Sequence, residues 1–119
     1  MNREIENMDF ANYQLRTSQT AIYPLDKALE YLSLGLVSEA GEVAGKVKKI
    51  IRDHESVLNE ETKEKLLAEI GDVLWYIAQL CETLGTNMSI VARNNVEKLA
   101  KRQEKNTLSG DGDLSLIHI

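Results

Sequence analysis

The chain holds one cysteine, one proline and seven glycines in 119 residues, and its acids outnumber its bases 19 to 14 for a net charge of −5. Each shortage closes a class of explanation. A lone thiol cannot form an internal disulfide and excludes cysteine-rich zinc sites. Cys81 lies in the apolar run Val73–Cys81, VLWYIAQLC, where a buried structural thiol is expected rather than a nucleophile. So few Gly and Pro residues leave little room for a turn-rich β-sandwich. The missing basic excess argues against a protein that coats nucleic acid. A polyanionic substrate remains compatible, provided a divalent cation stands between it and the carboxylates. The apolar run is far short of a membrane span, and the N-terminal MNREIENMDF lacks the apolar core of a signal peptide. A cytoplasmic protein with no membrane partner is expected.

What remains is rich in Lys, Glu, Leu and Ala, and the expectation is an all-α fold of one domain over residues 1–113. Asp9 is placed to cap a short helix reaching Gln19, and Tyr23-Pro24 marks a break. From Leu25 to Arg52 the residues Leu25, Leu29, Leu32, Leu36, Val43, Val47 and Ile50 recur at helical spacing. After a polar connection, Asn59 caps a third helix running to about Leu84, with Gly85 closing it. Asn87 caps a fourth that reaches about Lys105, and Asn106–Asp113 reads as loop or tail. The pattern predicts a compact four-helix bundle-like protomer. Its apolar residues beyond a narrow stripe, among them Val37, Ala44, Ile51, Trp75 and Ala78, predict an oligomer that buries the surplus.

The last six residues, LSLIHI, can be encoded by CTG TCT CTT ATA CAC ATC, one reading frame of a widely used transposase sequencing adaptor. Residues 114–119 are expected to be a translated adaptor scar, which removes His118 from functional reasoning.

The informative acids are Glu39 and Glu42 on the second helix and Glu69 and Asp72 on the third. With Leu36 taken as zero, Glu39 falls at about −60° and Glu42 at about −120°, inside and at the border of the apolar stripe. With Ile70 as zero, Glu69 lies near −100° and Asp72 near −160°. Acids there are costly unless they are paired or bound to metal. Glu61 and Glu64 supply a control, since the same spacing beside Lys63 and Lys65 reads as a solvated face. Four carboxylates between helices make a hard oxygen cage suited to Mg²⁺, with Mn²⁺ as the alternative, rather than Zn²⁺. A di-iron site needs Glu-x-x-His motifs, and His54 lies in a loop. Because Mg²⁺ keeps waters and favours phosphate oxygens, the expected substrate carries a di- or triphosphate. Lys46 and Lys49 lie on the acid side of their helix, and Asn95, Lys98 and Arg102 share a face of the fourth; as a set they fit phosphate clamps.

The segments SEAGEVAGKVKKIIRD, EIGDVLWYIAQL and NNVEKLAKR, followed by NTLSGDGD, resemble the small MazG-like nucleoside triphosphate pyrophosphohydrolases of the all-α NTP pyrophosphatase group. The likeness runs from about Asp9 to Asp113, and its E-x-x-E and E-x-x-D motifs fall on Glu39–Glu42 and Glu69–Asp72. The resemblance implies hydrolysis of a nucleoside triphosphate between the α and β phosphates, giving a monophosphate and pyrophosphate. It implies that Glu39, Glu42, Glu69 and Asp72 hold Mg²⁺, which neutralises the phosphates and acidifies an attacking water. It further implies that Glu39 orients or deprotonates that water, that Asn95 stands beside metal or phosphate, and that Lys98 and Arg102 hold the phosphate tail. Gln14, Tyr23, Trp75 and Tyr76 are the base-pocket candidates, and a homodimer or homotetramer is implied. Ser38 stands where some members carry another acid, and Asp113 is not followed by the usual Asn-Arg. The rival readings are a phosphoribosyl-ATP or dUTP-type pyrophosphatase on the same scaffold and a non-catalytic helical oligomerisation module.

Overall fold

In the computed structural model, residues 3–109 are described. Four long helices follow a single N-terminal turn, Arg3–Glu6: α1 (Phe10–Ser18), α2 (Ala28–Asp53), α3 (Glu60–Thr83) and α4 (Met88–Ser109). The capping residues do what their chemistry predicts. The Asp9 carboxylate accepts the Asn12 amide at 2.8 Å, and Asn59 and Thr62 form a reciprocal capping box at the start of α3. Gly85 takes the left-handed backbone, φ 73°, that ends α3, and the Asn87 side chain then accepts the Ile90 amide at 2.9 Å to open α4.

Two boundaries differ from the sequence reading. Leu25–Lys27 forms a 3-10 turn after Pro24, and the α-helix begins only at Ala28. The fourth helix continues past Lys105 to Ser109, because Asn106, Thr107, Leu108 and Ser109 include no breaker and the first glycine comes at Gly110. The adaptor-like residues 114–119 lie outside the described residues.

Helices α2 and α3 form the principal packed pair, with α1 laid across α3 and α4 touching α1 and α3 less extensively. The core is small. Ala78, Cys81 and Met88 form its buried centre, with Tyr13, Leu74 and Ile77 packed against it, and Leu32 is fully buried on α2. The surplus apolar side chains divide. Val37 and Ile51 stay exposed, at 71% and 60%, whereas Ala78 belongs to the protomer's own core. Leu25, Leu29 and Val47 of the predicted stripe are exposed too, because α2 has a neighbour along only part of its surface. Among the described residues, no helix is long and apolar enough to cross a membrane.

A polar tie fixes the end of this core that lies away from the α2–α3 loop. The Gln14 amide nitrogen donates to Glu82 Oε1 at 2.8 Å and to the Thr86 carbonyl at 3.0 Å, while its oxygen accepts the Met88 amide at 2.9 Å. Gln14 is 4% exposed. A side-chain amide buried this deeply is tolerated because its partners replace the lost water.

Candidate active site: an acid cluster beside an aromatic cleft

Glu39 of α2 and Glu69 and Asp72 of α3 face one another across the helix pair, and one carboxylate oxygen from each lies within 4.8 Å of the others. The i, i+3 spacing of Glu69 and Asp72 puts both on one side of α3, and the packing of α2 against α3 supplies Glu39 from opposite. Glu39 and Glu69 are half-buried, and Asp72 is exposed. Burial pushes the Glu39 carboxyl above its usual range, aided by the negative charges of Asp72, Glu69 and Glu42 and by a hydrogen bond with Glu69. Glu42, one turn further along α2, is exposed and stands outside the group of three, near enough to raise Glu39 electrostatically.

Three hard oxygen donors brought together against their mutual repulsion suit a divalent cation of the magnesium type. Lys46 of α2 reaches this set: its Nζ lies 3.9 Å from Glu69 Oε1. Beyond it, Lys46 and Lys49 line a second cavity of about 190 Å³ with Ile50, Asp53, His54, Thr62 and Lys65. The basic groove therefore begins where the acid cluster ends, with Lys46 common to both.

On the other side of the acids lies a cleft of about 370 Å³, lined by Thr20, Ile22, Tyr23, Tyr31, Trp75 and Tyr76 together with Glu39 and Asp72. Its aromatic rings are mutually ordered. Tyr23 stacks on Tyr31 with centroids 5.6 Å apart, Trp75 meets Tyr23 edge-on at 6.4 Å, and Tyr76 meets Trp75 at 5.0 Å. The Trp75 indole donates to Thr20 Oγ1 at 2.8 Å. Burial, then hydrogen bonding and charge from Tyr31, Glu39 and Asp72, hold the Tyr76 hydroxyl above its ordinary pKa and so in its neutral form.

Tyr23, Trp75 and Tyr76 are thus brought to the acid cluster, whereas Gln14 is not: its amide is occupied in tying α1 to the α3–α4 turn. Asn95 and Lys98 line a separate groove on α4 with Val91 and Asn94, and neither they nor Arg102 borders the cleft. Sequence reasoning missed Tyr31, Thr20 and Ile22. For Tyr31 a signal existed, since it precedes Glu39 by eight residues and so lies within about 80° of it on the helix. Thr20 and Ile22 occupy the irregular segment between α1 and α2, where no periodicity announces an orientation.

The sequence profile of the MazG nucleotide pyrophosphohydrolase domain matches residues 27–107. The chain is similar to the gene 37 protein of Mycobacterium phage L5, with 45% identity over 107 residues covering 85% of this chain and 94% of the phage protein. It is also similar to the uncharacterised protein YvdC of Bacillus subtilis strain 168, with 38% identity over 74 residues covering 58% of this chain and 70% of that protein. No solved structure matches significantly.

Proposed function

Starting from the fact that the chain belongs to the MazG nucleotide pyrophosphohydrolase domain family, we propose that it hydrolyses nucleoside triphosphates between the α and β phosphates to a nucleoside monophosphate and pyrophosphate. The observation that carries this reading is the convergence of Glu39, Glu69 and Asp72 between an aromatic cleft and a lysine-lined groove. A planar base, a metal-bridged phosphate and an anionic tail have their complements there in the order in which a nucleotide presents them.

Glu39, Glu69 and Asp72, with Glu42 one turn away, hold Mg²⁺ in this account, with Mn²⁺ as the alternative. The cation supplies neutralisation of phosphate charge and acidification of a water. Glu39 borders the cleft and the acid cluster at once, which suits it to orient the attacking water. Tyr23, Trp75 and Tyr76, joined by Tyr31, hold the base, and Lys46 and Lys49 receive the departing phosphates. Asn95, Lys98 and Arg102 act as further phosphate clamps only where an assembled homodimer or homotetramer carries α4 to an acid cluster. The exposed apolar residues of α2 and α4, Leu34, Val37, Ile51 and Val96, support such an assembly.

Anion-exchange separation of the products tests the reaction. Monophosphate and pyrophosphate in equal amounts are expected in the presence of Mg²⁺. Diphosphate with inorganic phosphate means attack at the terminal phosphorus and contradicts the proposal.

A further inference from the structure

Gln79 lies on α3 one turn beyond Trp75 and, at 2% exposure, is the most deeply buried polar side chain among the described residues. An amide in such a place needs a partner for its oxygen and for both hydrogens of its nitrogen. It has all three. Nε2 donates to Thr17 Oγ1 at 2.9 Å and to Ser18 Oγ at 3.1 Å, and Oε1 accepts the Tyr23 hydroxyl at 2.6 Å.

The direction of these bonds is fixed by what surrounds them. The Thr17 hydroxyl gives its own proton to the Gln14 carbonyl at 2.7 Å, so towards Gln79 it can only accept. The amide nitrogen must therefore face Thr17, and the amide oxygen must face Tyr23. Tyr23 in turn has to point its hydroxyl inward as the donor, which leaves its ring to line the cleft against Tyr31 and edge-on to Trp75. Tyr23 sits in the irregular stretch before the Leu25–Lys27 turn, so no helical backbone holds it in place. Gln79 borders neither the cleft nor the acid cluster.

We propose that Gln79 is a positioning residue for nucleotide recognition: through the Tyr23 hydroxyl it fixes the aromatic wall against which the base stacks. The inference rests on the nucleotide reading above, and it concerns binding of the base, not the metal or the phosphates. Loss of the tie loosens the wall, so base-dependent affinity falls while affinity for a bare phosphate chain does not.

The test is calorimetric titration of the full chain in Mg²⁺ with α,β-methylene deoxynucleoside triphosphates of the four bases and, separately, with inorganic tripolyphosphate. Gln79→Met and Tyr23→Phe are each expected to weaken the tightest-binding nucleotide by about tenfold, the scale of one well-made hydrogen bond. The double variant is expected to be no weaker than either single one, because both remove the same link. Tripolyphosphate is expected to bind all four proteins alike. In turnover Gln79→Met is expected to raise KM, with kcat held within about twofold. Should Gln79→Met fail to fold, Tyr23→Phe decides the matter alone. Wild-type nucleotide affinity in Tyr23→Phe, a double variant whose loss is the product of the single losses, or an equal loss of tripolyphosphate affinity overturns the inference. A wild-type protein that binds nucleotide but releases no pyrophosphate defeats the hydrolase reading and leaves this inference to be decided by the binding data.

Discussion

Glu39 concentrates the electrostatic tension of the site. Its carboxyl is raised in the folded protein by burial and by three neighbouring acids, and the unfolded chain relieves both. The folded state therefore holds its proton to higher pH than the unfolded state does. Stability supplied by the protonated form is present below the ordinary glutamate value of 4.5 and is lost as pH rises through the raised one. Melting of the metal-free protein is expected to shift to lower temperature as pH climbs from the ordinary glutamate value through the raised one. Glu39→Gln is expected to flatten that slope, and Mg²⁺ to counter it by replacing the lost protons; thermal denaturation in EDTA and in Mg²⁺ checks both. The acid pairs were legible in the sequence because a spacing of three places side chains on one side of a helix. The Gln79–Tyr23 link was not, since a glutamine in an apolar run reveals its own burial but not which hydroxyl awaits it.

At the scale of elements, the positions of α2 and α3 decide the shape of the cleft, and Gly35 sets how closely they meet beside it. A methyl group on Gly35 overlaps the Tyr76 ring, whose atoms belong to a stiff plane rather than a flexible tip. Alanine is the better helix former by roughly 1 kcal/mol, but overpacking of this kind costs about 1–3 kcal/mol. The clash is expected to win. Gly35→Ala is expected to lower the melting temperature and to weaken nucleotide binding by displacing Tyr76, readable by differential scanning calorimetry and by titration. Helix starts were legible from Asp9, Asn59 and Asn87, whose side chains satisfy amides that a helix leaves unpaired. The extent of α4 was misjudged because polar residues such as Asn106 and Thr107 disfavour a helix only weakly.

The described helices leave many large apolar side chains uncovered, which is the kind of surface a subunit interface buries. Much of what is exposed is apolar, including Leu34 at 73% and Val37 at 71% on α2 and Val96 at 65% on α4. Surplus apolar surface was legible in the sequence, because hydrophobic residues outnumbered what one helical stripe accommodates. Where α4 sits was not, since a helix wheel carries no information about its neighbours. Sedimentation equilibrium is expected to give a dimer or tetramer at micromolar concentration, and Val37→Glu to shift the population towards monomer. A monomer throughout, at concentrations of 100 μM and above on the usual affinity scale, contradicts the assembly proposed here.

In the proposed reaction Glu39, Glu69 and Asp72 form the metal-holding heart of a pyrophosphohydrolase. Pyrophosphate release from a panel of nucleoside triphosphates in Mg²⁺, by the wild-type chain and by Asp72→Asn, tests it most directly. Release by the wild-type chain is expected, falling by at least about 100-fold in the variant with its helical content unchanged. Equal release by a folded Asp72→Asn, or none from any nucleotide by the wild-type chain, contradicts it.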